Sequence, residues 1–264
     1  MSVLRRIRHR FAKFRSLLHV DQGQLSTYAR PFPVISQSFR TLLIAFIILD
    51  LAFIGLNALA IVAHQFGLID AVPELLKITK DRALPEDYNY LKWTIIVVAL
   101  TWMSIRDRWL PPLFWAFVFA MILADDSLQL HEKLGAFISS SSNLPSSTYF
   151  YSDDLGELLA FMVMGCVALA MTASLFTRCG ATARAISLRY GLVIVALGGF
   201  GVGIDSLHQV VSHLAEGTSV ATLMSQLFGL LEEGGEMMVA SFAAAMTIAG
   251  ELGSAEDVRG SANS

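Results

Sequence analysis

The chemistry-bearing residues of this chain stand where hydrocarbon is expected. Ala124-Asp125-Asp126-Ser127-Leu128-Gln129-Leu130-His131-Glu132 interrupts one long apolar stretch, and Asp153-Asp154-Leu155-Gly156-Glu157 opens the next. Asp205-Ser206-Leu207-His208 lies inside a third stretch and Glu232-Glu233-Gly234-Gly235-Glu236 inside a fourth. An ionisable side chain at membrane depth costs several kcal/mol unless it is paired, solvated or bound to a metal. Two-metal sites in helical bundles use four acids and two histidines, with an acid-x-x-His pair on one helix. Asp205-x-x-His208 fits that pair, and His131-Glu132 with Asp125 or Asp126 is a looser version. The expected metal ligands are therefore drawn from Asp125, Asp126, His131, Glu132, Glu157, Asp205, His208, Glu232, Glu233 and Glu236. Oxygen-rich ligands with a few imidazoles suit iron or manganese, and zinc also fits. Cys166 and Cys179 stand apart from the cluster and form no thiolate site.

Spacing puts most of these residues on shared helix faces. Asp205 and His208 are three apart, with Gln209 and Ser212 extending the stripe; Glu232 and Glu233 are four and three from Glu236. Asp125, Gln129 and Glu132 form another stripe, but His131 points off it. Either the third helix departs from ideal geometry there, or Asp126 and His131 serve different ends of the site. Asp126-Ser127-Leu128 recurs as Asp205-Ser206-Leu207, 79 residues on, and Glu157 is likewise 79 residues before Glu236. This pattern describes a duplicated helical hairpin whose two copies run in parallel and together form a four-helix site.

The elements that position these residues are transmembrane helices. Only 16% of the 264 residues are charged and mean hydropathy is +0.58, whereas soluble domains carry about a quarter charged residues. The apolar runs suit helices of roughly 20 residues, the length that crosses a bilayer core. No alternating strands of the β-barrel kind are present. The expected fold is all-α, a polytopic bundle with spans near 41–63, 91–105, 110–138, 155–177, 186–213 and 221–249. Residues 1–40 are a basic segment able to lie on an anionic membrane surface as an amphipathic helix, 41–250 the six-span domain and 251–264 a disordered tail. No cleaved signal peptide is expected. Arginine and lysine gather before the first span, at Arg106 and Arg108, and at Arg178, Arg184 and Arg189. Both termini are thus expected in the cytoplasm, in a bacterial inner membrane. On that topology the acids and histidines overlap in the outer half of the bilayer, at roughly 9–24 Å depth.

Other features read more plainly. Gly198, Gly199, Gly201 and Gly203 are close-packing positions within a span. Asp153 and Asp154 favour a helix start, and His213 reads as interfacial. Asp50 is either a relay residue or a hydrogen-bonded polar group in the first span.

The order Asp125-Asp126-x4-His131-Glu132 followed by Glu232-Glu233-x2-Glu236 resembles a group of uncharacterised bacterial multi-pass membrane proteins. The resemblance covers the third to sixth spans and implies no known activity. The reading that follows from the residues is a membrane metalloprotein, with an oxidoreductase acting on a lipid or quinone-like molecule as the leading enzyme class. A metal-dependent hydrolase, a proton or cation transporter, and a non-catalytic membrane subunit are the alternatives. The expected partners are the lipid bilayer, a lipid or quinone-like small molecule and further copies of the chain, with no nucleic acid.

Overall fold

A computed structural model describes residues 36–142, 152–178, 180–214 and 219–262. Residues 1–35 of the basic segment and Cys179 lie outside the described residues, as does the side chain of His213. The described chain forms helices α1 (Gln37–Gln65), α2 (Leu84–Asp107), α3 (Pro111–Leu128), α4 (Leu130–Ser142), α5 (Ser152–Arg178), α6 (Ala181–Gly198), α7 (Asp205–Leu214) and α8 (Ser219–Ala262). A π-helical segment, Gly199–Ile204, joins α6 to α7, and a single 3-10 turn, Glu74–Leu76, lies between α1 and α2. Among the described residues there is no strand.

Four helical stretches are long and apolar enough to cross a membrane: Gln37–Gln65, Pro111–Leu128, Ser152–Thr177 and the continuous Ala181–Val211. α2 and α8 are more polar, yet they run through the interior. Met237, Ala240, Ala243, Ala244 and Ala245 of α8 are essentially inaccessible. Small residues on a central helix let its neighbours approach closely, which is how helices associate in lipid. α2 has 24 residues and is thus about 36 Å long, enough to traverse the bilayer core.

Three expected boundaries change. The third span is not one helix of residues 110–138: it breaks at Gln129, whose backbone is left-handed (φ 52°, ψ 49°), into α3 and α4. The second span starts at Leu84 rather than 91, because Pro85 opens the helix instead of belonging to a loop. The last helix runs on through Ala262, beyond 249.

Packing divides the bundle along its length. In the middle of the bundle Trp93, Trp115, Phe119 and Tyr190 form an aromatic block, with ring centroids 5.3–6.3 Å apart. The Tyr190 and Thr247 hydroxyls are hydrogen-bonded at 2.9 Å, tying this block to α8. Near mid-helix, α1, α2 and α8 meet at a fully buried ion pair. Lys92 Nζ donates to Asp50 Oδ1 (3.0 Å), to the Met237 carbonyl (2.8 Å) and to Ser241 Oγ (3.1 Å). Ser241 Oγ in turn donates to Asp50 Oδ2 (2.6 Å). Asp50 is thus a paired group, and its partner is a lysine that reads in the sequence as one charge within an apolar helix. At the far end the C-terminal turns of α3 and α6 and the N-terminal parts of α2 and α5 surround a cavity, along with the early turns of α8. The connector between α1 and α2 folds over this end: the Ile78 main-chain N–H donates to Asn57 Oδ1 of α1 (3.4 Å).

Candidate metal centre

The cavity has a volume of about 640 Å³. Nine of the ten expected ligands line it: Asp125, Asp126, His131, Glu132, Glu157, Asp205, Glu232, Glu233 and Glu236. Asp81 and Glu86 join them, so that eleven lining residues are acidic or histidine and none is lysine or arginine. Much of the remaining lining is apolar: Val118, Met121 and Ile122 of α3, Phe161 and Met164 of α5, and Ile194 and Leu197 of α6.

The break in α3 is what brings His131 to the cavity. Both oxygens of Asp125 accept from His131: the main-chain N–H donates to Oδ1 (2.8 Å) and ring Nδ1–H to Oδ2 (3.1 Å). Asp125 thereby satisfies an otherwise unpaired donor at the start of α4 and fixes the tautomer that leaves Nε2 with the lone pair. Gln129 accepts the left-handed conformation that joins the helices, and its amide donates to Asp81 Oδ2 of the connector. Lys133 Nζ donates to the Leu128 carbonyl (2.5 Å), placing a cation at the C-terminal end of α3. The His131 ring stacks on Phe161 of α5, with centroids 4.6 Å apart.

α4 and α5 meet backbone to backbone. A Cβ on Gly156 would collide with the Gly135 carbonyl, and a Cβ on Gly135 would lie 2.5 Å from Glu157 Cγ. The two glycines therefore set how near Glu157 comes to His131. Asp153, one residue into α5, accepts from Ser139 Oγ of α4 (2.5 Å).

A similar arrangement holds the second histidine. Asp205, His208 and Glu232 each offer one ligand atom, and these atoms lie within 4.8 Å of one another. His208 does not line the cavity itself but reaches this group from α7. Its Nε2 is hydrogen-bonded to Ser225 Oγ (2.9 Å), and its Nδ1 stands 3.9 Å from Glu232 Oε2. Donation from Nε2–H to Ser225 leaves the Nδ1 lone pair facing Glu232. Gln209 Nε2 donates to Asp205 Oδ2 (2.9 Å), orienting that carboxylate as the sequence stripe predicts. Glu236 occupies the space that a Cβ at Gly201 would fill, so the π-helical segment is shaped around its carboxylate. π turns of this kind often mark functional sites.

The two hairpins share a longer motif. Asp153-Asp154-x-Gly156-Glu157 and Glu232-Glu233-x-Gly235-Glu236 have the same order, 79 residues apart. Gly156 packs on Gly135, and Gly235 packs on the Phe200 ring. In each hairpin the helix before this motif departs from α geometry close to its acid, at Gln129 in one and at Gly199–Ile204 in the other.

Residues missed in the sequence come from the first two spans and their connector. Thr79, Asp81, Glu86 and Asn89 all line the cavity, so these elements also build the site. Glu86 and Asn89, with Trp93, recur at three and four residues, which marks one face of α2. That periodicity was the available signal, masked by the polar look of a helix start.

Helices and cavity together define a class: an all-helical membrane protein whose bundle encloses carboxylates and imidazoles at one end. The chain belongs to the family described as domain of unknown function DUF8692, which it matches over residues 86–249, from the first turn of α2 into α8. No curated protein and no solved structure matches it.

Proposed function

We propose that this protein is an integral membrane metalloprotein whose ion is bound by Asp205, His208 and Glu232. His131, Glu132 and Glu157 complete the surroundings from α4 and α5. The single observation that carries this reading is the convergence of an imidazole and two carboxylates within 4.8 Å, contributed by the consecutive helices α7 and α8. Both histidines have one ring nitrogen engaged by a polar partner, Asp125 or Ser225. Such partners orient metal-ligating imidazoles and raise their basicity. Iron or manganese suits this oxygen-rich set, with zinc as a further fit.

The apolar lining favours a substrate with an apolar body and a polar end, in keeping with an oxidoreductase acting on a lipid or quinone-like molecule. Phe161 and Met164 would contact the body, and the carboxylates would face the polar end. The basic connector at Arg106 and Arg108 lies at the opposite end of α2 and α3 from the cavity. The positive-inside tendency supports an orientation with the cavity toward the outer leaflet and both termini in the cytoplasm.

Elemental analysis of the detergent-purified full-length chain tests the reading. Stoichiometric iron, manganese or zinc is expected, and it should be lost in His208→Ala and reduced in His131→Ala. A metal-free protein whose reconstituted vesicles carry an acid-dependent cation flux would replace this reading with transport.

A further inference from the structure

Beside the imidazole centre the cavity lining gathers a second set of oxygen-bearing side chains, Glu86 and Asn89 of α2, Asp126 of α3, and Glu233 and Glu236 of α8. Asn89 stands among the lining residues there, only 5% exposed, and its Oδ1 is buried with no hydrogen-bond partner. A carbonyl oxygen can only accept, and leaving one buried and unmet costs about 1–3 kcal/mol. Its surroundings make that need harder to meet. The lining residues include no lysine or arginine, and ionised carboxylates are themselves acceptors. Glu86 is already engaged, accepting from the Arg82 main-chain N–H and the Tyr90 hydroxyl. Asp126 is reached by Trp93 and His131, but Asn89 Oδ1 meets no donor, and a cation would serve it and the carboxylates together.

We infer that this set is a second cation site, in which Asn89 Oδ1, Asp126, Glu233 and Glu236 hold a hard, partly hydrated divalent cation such as magnesium or manganese. Oxygen-only ligation selects hard cations over those that favour imidazole. Among the described residues only Asp205, His208 and Glu232 close to within 4.8 Å as a cluster. The carboxylates near Asn89 are more widely spaced, so an ion among them retains water. Magnesium-like ions behave in this way, keeping several waters and taking one or two carboxylates. Its ligands are distinct from the Asp205, His208 and Glu232 of the imidazole centre in the same cavity, and it stands or falls without that assignment.

Manganese(II) titration followed by electron paramagnetic resonance provides the test, because the signal of the free hexaaqua ion falls as it binds. The protein is full-length His208→Ala in detergent, which removes the imidazole centre and leaves this set intact. One manganese per chain is expected. Adding Asn89→Leu should weaken it at least tenfold, whereas adding Asn89→Asp, which keeps an oxygen at the same position, should preserve or tighten it. Magnesium should compete. Absence of manganese uptake by the His208→Ala protein overturns the inference, as does equal affinity with and without Asn89→Leu. Loss of binding in the Asn89→Asp variant overturns it too. Loss of resident iron or zinc, or of one of two manganese per chain, on His208→Ala reports separately on the imidazole centre, so failure of one site is distinguishable from failure of the other.

Discussion

Asp125 holds His131 by two hydrogen bonds at once, one to its main-chain N–H at 2.8 Å and one to its ring Nδ1 at 3.1 Å. This carboxylate, 7% exposed, both starts a helix and aims an imidazole. The two roles are separable by substitution. Asp125→Asn retains an oxygen for the main-chain bond but weakens the hold on the ring, and should lower metal affinity about 10–100-fold, the usual effect of losing such a partner. Asp125→Ala should also remove about 0.5–2 kcal/mol of stability, as loss of an N-terminal cap does. Metal titration and chemical denaturation in the same detergent read the two effects; equal metal affinity in Asp125→Asn and the parent would contradict the orienting role.

The Asp50–Lys92 pair, both side chains 0% exposed, locks α1 and α2 to α8 immediately after Glu236. Lys92→Met leaves a buried carboxylate without its cation and should destabilise the protein by about 3–5 kcal/mol. The double variant Asp50→Leu/Lys92→Met removes both charges and should recover much of that loss. Unfolding followed in micelles checks this, and a double variant as unstable as the sum of the singles would count against direct pairing.

The glycines divide into two groups with opposite expectations. Gly165 and Gly198 line the cavity where an added Cβ meets nothing within 4 Å, so Gly165→Ala and Gly198→Ala should leave folding and metal content unchanged. At Gly201 the added carbon would take the place of the Glu236 carboxylate, and at Gly156 it would strike the Gly135 carbonyl. Gly201→Ala should therefore displace Glu236, and Gly156→Ala should separate α4 from α5 with loss of stability. Parallel thermal melts and metal analysis of the four variants distinguish the groups.

Acidification should release metal from the proposed centre, because imidazole and carboxylate ligands bind only when deprotonated. The exposed connector should not contribute to this profile. Lys77 and Lys80 hold the Glu74 carboxyl down at about 2. A carboxyl lowered from 4.5 to about 2 on folding adds stability above pH 4.5 that disappears as pH falls through 2. The group is fully exposed and salt screens it, so Glu74→Gln should leave both the melting temperature at neutral pH and the pH profile of metal release unchanged. A shift of that profile in Glu74→Gln would contradict the assignment of the pH response to the cavity.

Much of this arrangement was legible because carboxylates in a hydrocarbon layer need a shared reason to be there. That constraint alone drew Asp126, Glu157, Asp205, Glu232, Glu233 and Glu236 toward one place, and the cavity lining contains them all. The mismatch between His131 and the Asp125 stripe likewise pointed to irregular geometry, now seen as the left-handed Gln129. Asp81, Glu86 and Asn89 escaped notice for a different physical reason. They belong to a connector and a helix start, where polar residues are ordinary, and only tertiary folding over the cavity gives them a role. Lys92 was hidden because its partner Asp50 lies 42 residues away, and no local pattern links them.

The most direct measurement is anomalous diffraction from crystals of the purified protein, collected at the absorption edge of the metal found by elemental analysis. The account predicts a peak bounded by Asp205, His208 and Glu232, within direct ligation distance of His208 Nδ1. Metal peaks elsewhere in the protein with none at Asp205, His208 and Glu232 would contradict it.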